Sequence, residues 1–329
     1  MSAWNRALRI ATLAGAAGGG LFAYARYGVR RFEDLEPESA GAPGSFVDVD
    51  GVRIHYVEAG RGEAVVLIHG LNASTFSFRH TIPELAQHYR VVALDLKGFG
   101  YSARPAEGDY SLTAQADLVA QVMAQLGIER AAVAGHSMGG AVAMRLALRS
   151  PERVTRLVLV ASATDRELRR GLRSARFVRP FLPVAAFLIL HRERFRRKWL
   201  ETAVHDPAHL TPEVMEGHLR PSRMKGHLRA LGALLTDRRL DEPLAPEAIR
   251  QPTLILWGED DRWLPPASGE ELASSIPNAR FDLVPGAGHL VLEEQPDYCN
   301  RALLAFLRSP EPVVTPTQPE HATTSETAS

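Results

Sequence analysis

The feature that most constrains this chain is Gly135-His136-Ser137-Met138-Gly139-Gly140, set between a short apolar run, Ala131–Ala134, and a helical stretch, Met138–Leu148. A strand that turns at once into a helix crowds the residues flanking the turn. Glycine has no Cβ, so the backbones there can approach. Ser137 is thereby lifted off the strand, with its hydroxyl free, at a helix N-terminus that offers unpaired N–H groups and a positive dipole end. Gly-x-Ser-x-Gly in this context reads as a nucleophile elbow.

The surrounding sequence supplies the sheet that such an elbow needs. Phe46–Val49 and Val52–Glu58, joined by Asp50-Gly51, predict a hairpin with a two-residue turn. Ala64–Ile68, Arg90–Leu94, Ala131–Ala134, Arg156–Val160, Thr253–Trp257 and Arg280–Val284 are short apolar runs of the kind that form buried parallel strands. Helical stretches separate them, notably Leu112–Leu126. The alternation predicts an α/β fold, a mostly parallel sheet with helices on both faces, with its core in 46–163 and 246–308.

One insertion breaks the rhythm. Residues 164–245 show no strand pattern and are rich in arginine, with 17 basic and 10 acidic residues between Asp165 and Glu242. A segment of that length is too long for a loop. It predicts a helical cap over the C-terminal edge of the sheet, where open α/β folds bind ligands.

Three further groups complete the chemistry. Serine needs a base. His289, in Pro285-Gly286-Ala287-Gly288-His289, follows a strand and sits in the chain order serine, acid, histidine. The orienting acid falls in Gly258-Glu259-Asp260-Asp261, where Asp261 is the first choice and Asp260 the second. His69-Gly70-Leu71-Asn72 follows the Ala64–Ile68 run. The Leu71 N–H, with that of Met138, is the expected oxyanion hole. His69 reads as structural, and Asp95, in Asp95–Ser102, as a residue that holds the loops around the site.

With these motifs the chain resembles the capped enzymes of the α/β-hydrolase fold, esterase- and lipase-like, over Phe46 to Arg308 apart from the cap. The resemblance implies Ser137 as nucleophile, His289 as base, Asp261 as acid and donors at Leu71 and Met138. It implies an ester hydrolase with no cofactor and no metal. Relatives that act on haloalkanes or epoxides carry Asp at the elbow, where this chain has Ser137. Carbon–carbon hydrolases of the meta-cleavage type share the triad, but with a more Gly-rich loop than Gly70-Leu71-Asn72-Ala73. They are the alternative reading, and a hydrolase-fold ligand-binding protein without turnover is the non-enzyme one.

The remaining sequence bears on partners. The chain carries 38 basic and 38 acidic residues, so no global field favours nucleic acid. One cysteine excludes an internal disulfide. Neither a phosphate-binding glycine loop nor a zinc motif is present. Residues 1–31 hold an uncharged stretch, Ile10–Ala25, between arginines. About 24 Å of helix is short for a bilayer of about 30 Å. The segment reads as a membrane anchor first. It reads second as a signal cleaved at Ala23-Tyr24-Ala25, which would export the protein, and third as a Gly-rich helix with no destination, which would leave it cytoplasmic. Residues 32–45 read as a linker and 309–329 as a disordered tail. Within the cap, Pro183–Leu200 reads as one helix that gathers Val184, Leu188, His191, Phe195 and Trp199 on one face beside a run of basic residues. That pattern, with the N-terminal segment, predicts work at a membrane surface on a lipid-like ester. Packing of the same face onto the core is the rival expectation.

Overall fold

The computed structural model describes residues 27–28, 31–36, 40–164, 193–237 and 241–309. Asp50 and Gly51 both take positive φ, 51° and 78°, the requirement of the turn that matches strand twist in a tight hairpin. They join β1 (Ser45–Val49) to β2 (Val52–Ala59), and Asp48 Oδ1 closes the turn by accepting from Gly51 N–H at 2.9 Å. Six more strands complete the sheet: β3 (Ala64–Ile68), β4 (Arg90–Leu94), β5 (Ala131–His136), β6 (Val154–Val160), β7 (Thr253–Gly258) and β8 (Ala279–Val284).

The strand order is β1-β2-β4-β3-β5-β6-β7-β8. β2 runs antiparallel to both neighbours, and every pair from β4 onward is parallel. This is the expected α/β architecture. The chain order reverses between β3 and β5, which opens a crevice at their C-terminal ends. Helices α1 (Leu112–Gln125) and α2 (Met138–Arg149) pack together on one side, with the Ser111 hydroxyl capping α1 by accepting from Ala114 N–H. β5 and β7 are buried from end to end, and β6 at every residue but Thr155, which explains their apolar runs. β5 continues to His136, two residues past the apolar run, because Gly135 and His136 still pair with Leu159 and Val160.

Between β6 and β7 the described residues form α3 (Glu193–Glu201), α4 (Pro212–Leu219) and α5 (His227–Asp237). Ala203, Val204, Leu210 and Val214 bury against Leu290, so this part of the chain lies over the loop after β8. The helix expected over Pro183–Leu200 is seen from Glu193, and its earlier residues lie outside the described ones. α6 (Pro266–Ser275) packs on β7 and β8, and α7 (Val291–Glu294) and α8 (Pro296–Arg308) follow β8.

The reading of 32–45 as a linker needs correction at its start. Phe32 packs with Leu228, and Leu35 forms a parallel bridge with Met224. Glu33 accepts from the N–H groups of Gly226 (3.0 Å) and Leu228 (2.8 Å) at the start of α5. Asp34 pairs with Arg223 through both carboxylate oxygens. Pro and Gly in the stretch suggested a linker, but its first residues find partners in a distant basic segment. The Ile10–Ala25 stretch and the tail from Pro310 lie outside the described residues. Among the described residues no helix is long and apolar enough to cross a membrane.

Candidate active site

Ser137 sits between β5 and α2 with φ 54° and ψ −119°, a strained conformation for a residue with a Cβ. Three backbone bonds hold it: its N–H donates to Val160 O (2.9 Å), and its carbonyl accepts from Gly140 N–H and Ala163 N–H (both 3.0 Å). The glycines are sterically required. A Cβ on Gly135 would stand 2.3 Å from Gly139 O, and one on Gly139 would stand 2.2 Å from Ile68 O.

His289 Nε2 lies 3.0 Å from Ser137 Oγ, and its Nδ1 lies 2.8 Å from Asp261 Oδ2. The second carboxylate oxygen of Asp261 accepts from Trp263 N–H (2.8 Å) and Leu264 N–H (2.9 Å). A carboxylate fixed by three donors holds the imidazole proton on Nδ1 and turns the Nε2 lone pair toward the serine hydroxyl. Asp260 faces away, its Oδ2 at 2.6 Å from His205 Nδ1.

The loop carrying His289 is braced by groups that sequence reasoning did not single out. His289 N–H donates to Ala203 O at 2.6 Å, and Glu294 accepts from Gly288 N–H (2.9 Å) and His205 N–H (2.5 Å). His136 donates from Nε2 to His289 O at 2.9 Å. Burial, with His289 as neighbour, pushes the His136 imidazole down to about 4, so it is neutral at pH 7. The Trp263 ring lies 5.0 Å from that of His289, and Trp199 of α3 stacks on Trp263 at 4.4 Å.

On the other side of Ser137, the neighbouring imidazole sets the Gly70–Leu71 peptide. His69 is fully buried and held neutral by that burial. Its Nε2 accepts from Leu96 N–H (3.0 Å), so Nδ1 carries the proton and donates to Gly70 O (2.7 Å). In a trans peptide the carbonyl and the following N–H point in opposite directions. Tying back Gly70 O therefore aims Leu71 N–H outward. Met138 opens α2, where the N–H groups have no partner within the helix. Asn72 has φ 58°, and its Oδ1 accepts from His227 Nε2 at 2.6 Å. Burial and nearby Arg104 push His227 down to about 3, which makes it a neutral donor.

Asp95 organises the base of these loops. It accepts from Thr75 N–H and Tyr101 N–H, both at 2.7 Å, and meets His55 Nδ1 at 2.7 Å. The other ring nitrogen of His55 faces Pro43 O, so both nitrogens meet acceptors. Burial works against the charge, but Asp95 and that carbonyl outweigh it and raise the His55 imidazole. Asp95 in turn is lowered, again against burial, by His55 above all. A Cβ on Gly100 would strike the Asp95 carboxylate at 1.9 Å, so the Asp95–Ser102 loop closes only with glycine there.

The sequence profile of the alpha/beta hydrolase fold matches residues 63–296. The chain belongs to the α/β-hydrolase family. Within the family it is 32% identical over 266 residues to the uncharacterized hydrolase YugF of Bacillus subtilis (strain 168), covering 79% of this chain and 96% of that one. It is 30% identical over 275 residues to a 2-hydroxy-6-oxo-6-phenylhexa-2,4-dienoate hydrolase of Comamonas testosteroni, covering 79% and 93%. Among solved structures, a membrane phospholipase A described as a bacterial virulence factor superposes with a TM-score of 0.67 at 28% identity, over 92% of this chain and 97% of its own. This α/β-hydrolase thus shares its sheet with enzymes of differing substrates, and its own chemistry has to be argued from its site.

Proposed function

We propose that this α/β-hydrolase cleaves carboxylic esters through an acyl-enzyme. The observation that carries this reading is the unbroken chain Ser137 Oγ, His289 Nε2, His289 Nδ1, Asp261 Oδ2, at 3.0 and 2.8 Å. Ser137 Oγ bonds to the ester carbonyl carbon while its proton passes to His289 Nε2. The carbonyl oxygen becomes an oxyanion facing the Leu71 and Met138 N–H groups, and Asp261 stabilises the imidazolium. On collapse the C–O bond to the alcohol breaks, and His289 returns its proton to the leaving oxygen. Water then repeats the sequence on the acyl-serine, with His289 again as base. None of these steps draws on a cofactor.

The test is labelling with a fluorophosphonate, followed by an ester panel of graded acyl length. Adduct on Ser137 and turnover of esters are expected. A pocket that binds esters without labelling would instead be a ligand-binding protein. A second reading, hydrolysis of a carbon–carbon bond, is favoured by the relationship to the Comamonas testosteroni enzyme. Turnover of a vinylogous 1,5-diketone with no turnover of esters would decide for it.

A further inference from the structure

Helix α3 has two unlike sides. At about 100° per residue, Arg194, Lys198, Phe195 and Trp199 fall within an arc of about 140°. All four are exposed, Phe195 at 52% and Trp199 at 42%. The opposite side is satisfied from within. Leu200 packs against the buried cluster of Ala203, Val204, Leu210, Val214 and Leu290. Arg197 pairs with Glu201 at 3.3 Å and donates to Leu210 O at 3.1 Å. Among the described residues no acidic group pairs with Arg194 or Lys198. Leu200 thus packs the helix on the core and Trp199 adds a ring contact with Trp263, while Arg194, Phe195 and Lys198 are left exposed.

We infer that this outer face of α3 seats the enzyme on an anionic lipid surface, so that an ester-bearing lipid reaches Ser137 from the membrane. The inference rests on the ester-hydrolase reading and gives its substrate a source. Three observations support a bilayer as the partner. Exposed rings beside two cations match the headgroup region, where an aromatic body and a charge are both accommodated. The face is joined to the site, because Trp199 stacks on Trp263 and Trp263 lies against the His289 ring. Finally, residues 31–36, which follow the uncharged Ile10–Ala25 stretch in sequence, are bonded to the segment that opens α5. An N-terminal anchor would thus be attached to the same inserted segment as the basic face.

The experiment uses the full chain, with vesicles of phosphatidylcholine alone or with phosphatidylglycerol. One arm follows hydrolysis of a long-chain ester dissolved in the vesicles. The other follows a water-soluble butyrate ester. Each cation near an anionic surface accounts for about a fivefold change in binding. Arg194→Ser/Lys198→Ser is therefore expected to reduce activity on anionic vesicles by about 25-fold, and Phe195→Ser to reduce it further. Activity on the soluble ester should stay within about twofold for both variants. The wild-type advantage on anionic vesicles should fade with added salt. Equal activity of wild type and variants on anionic vesicles would overturn the inference, as would parallel losses on both substrates. Failure of the wild type on every ester would instead remove the ester-hydrolase reading. Flotation of the same proteins with the same vesicles would then decide the membrane claim alone, with a wild-type excess over the variants supporting it and equal binding overturning it.

Discussion

Asp260 Oδ2 meets His205 Nδ1 at 2.6 Å, so the residue next to Asp261 ties the acid loop to the inserted segment. Two adjacent carboxylates thus face different histidines, one in the site and one above it. The pair is about half exposed, so it contributes little stability of its own.

Asp261→Asn should lower kcat by about 10⁴, because an amide at that place favours the wrong imidazole tautomer. Asp260→Asn should cost less than about tenfold, since it loosens only a surface contact. Steady-state kinetics of the two variants on one ester checks the assignment, and a larger loss in Asp260→Asn would reverse it.

His69→Ala should release Gly70 O and let the Leu71 N–H swing away from the oxyanion. A lost donor of this type lowers kcat by about 10² to 10³. KM should change little, because the interaction belongs to the transition state. Circular dichroism establishes that the variant is folded before the kinetics are compared.

Asp95→Asn should destabilise the fold by about 3 kcal/mol, as it strands a buried His55 that now lacks its anion. The pair also has a pH signature. The depressed Asp95 contributes stability above its ordinary carboxylate value, and that is lost as pH falls through its lowered one. The raised His55 contributes below pH 6.5, and that is lost as pH rises through its folded value. Urea midpoints should therefore show the largest gap between wild type and Asp95→Asn in the mildly acidic range between these limits.

Glu293 in α7 is buried between Arg79 and His218. Burial opposes its charge, but these partners outweigh it and bring the carboxyl to about 2 from an ordinary 4.5. A depressed carboxyl contributes stability fully above pH 4.5, and this is lost as pH falls toward 2. Glu293→Gln should be less stable than wild type at pH 6, and the difference should shrink steadily below pH 4.5 in urea titrations.

The sheet was legible because buried parallel strands write themselves as short apolar runs, and the elbow because its steric demand falls on glycines two residues either side of Ser137. Leu71 was legible only as a position; the reason its N–H points outward lies in the tautomer of His69, which depends on Leu96 after the next strand. The sequence ranked Asp261 above Asp260, but the partner that sets them apart, His205, lies 55 residues from Asp260 and could not be read from the pattern. The same holds for Ala203 beneath His289 and His227 beside Asn72. Each is a contact between the inserted segment and a loop, and an arginine-rich insertion carries no periodicity that announces its docking points. Phe195 and Trp199 share a helix face by spacing, but spacing does not tell whether that face looks inward or out.

The carboxylate of Glu33 on the first N–H groups of α5 has a practical consequence for anyone shortening this protein. A cut just before Phe32 keeps the residues that make these contacts. A cut only a few residues later removes the cap of α5, the apolar contact of Phe32 with Leu228, and the partner of Arg223. Chains beginning at Phe46, where the hydrolase resemblance starts, would keep every residue of the proposed chemistry, yet lose the clasp that fastens α5 from the N-terminal side.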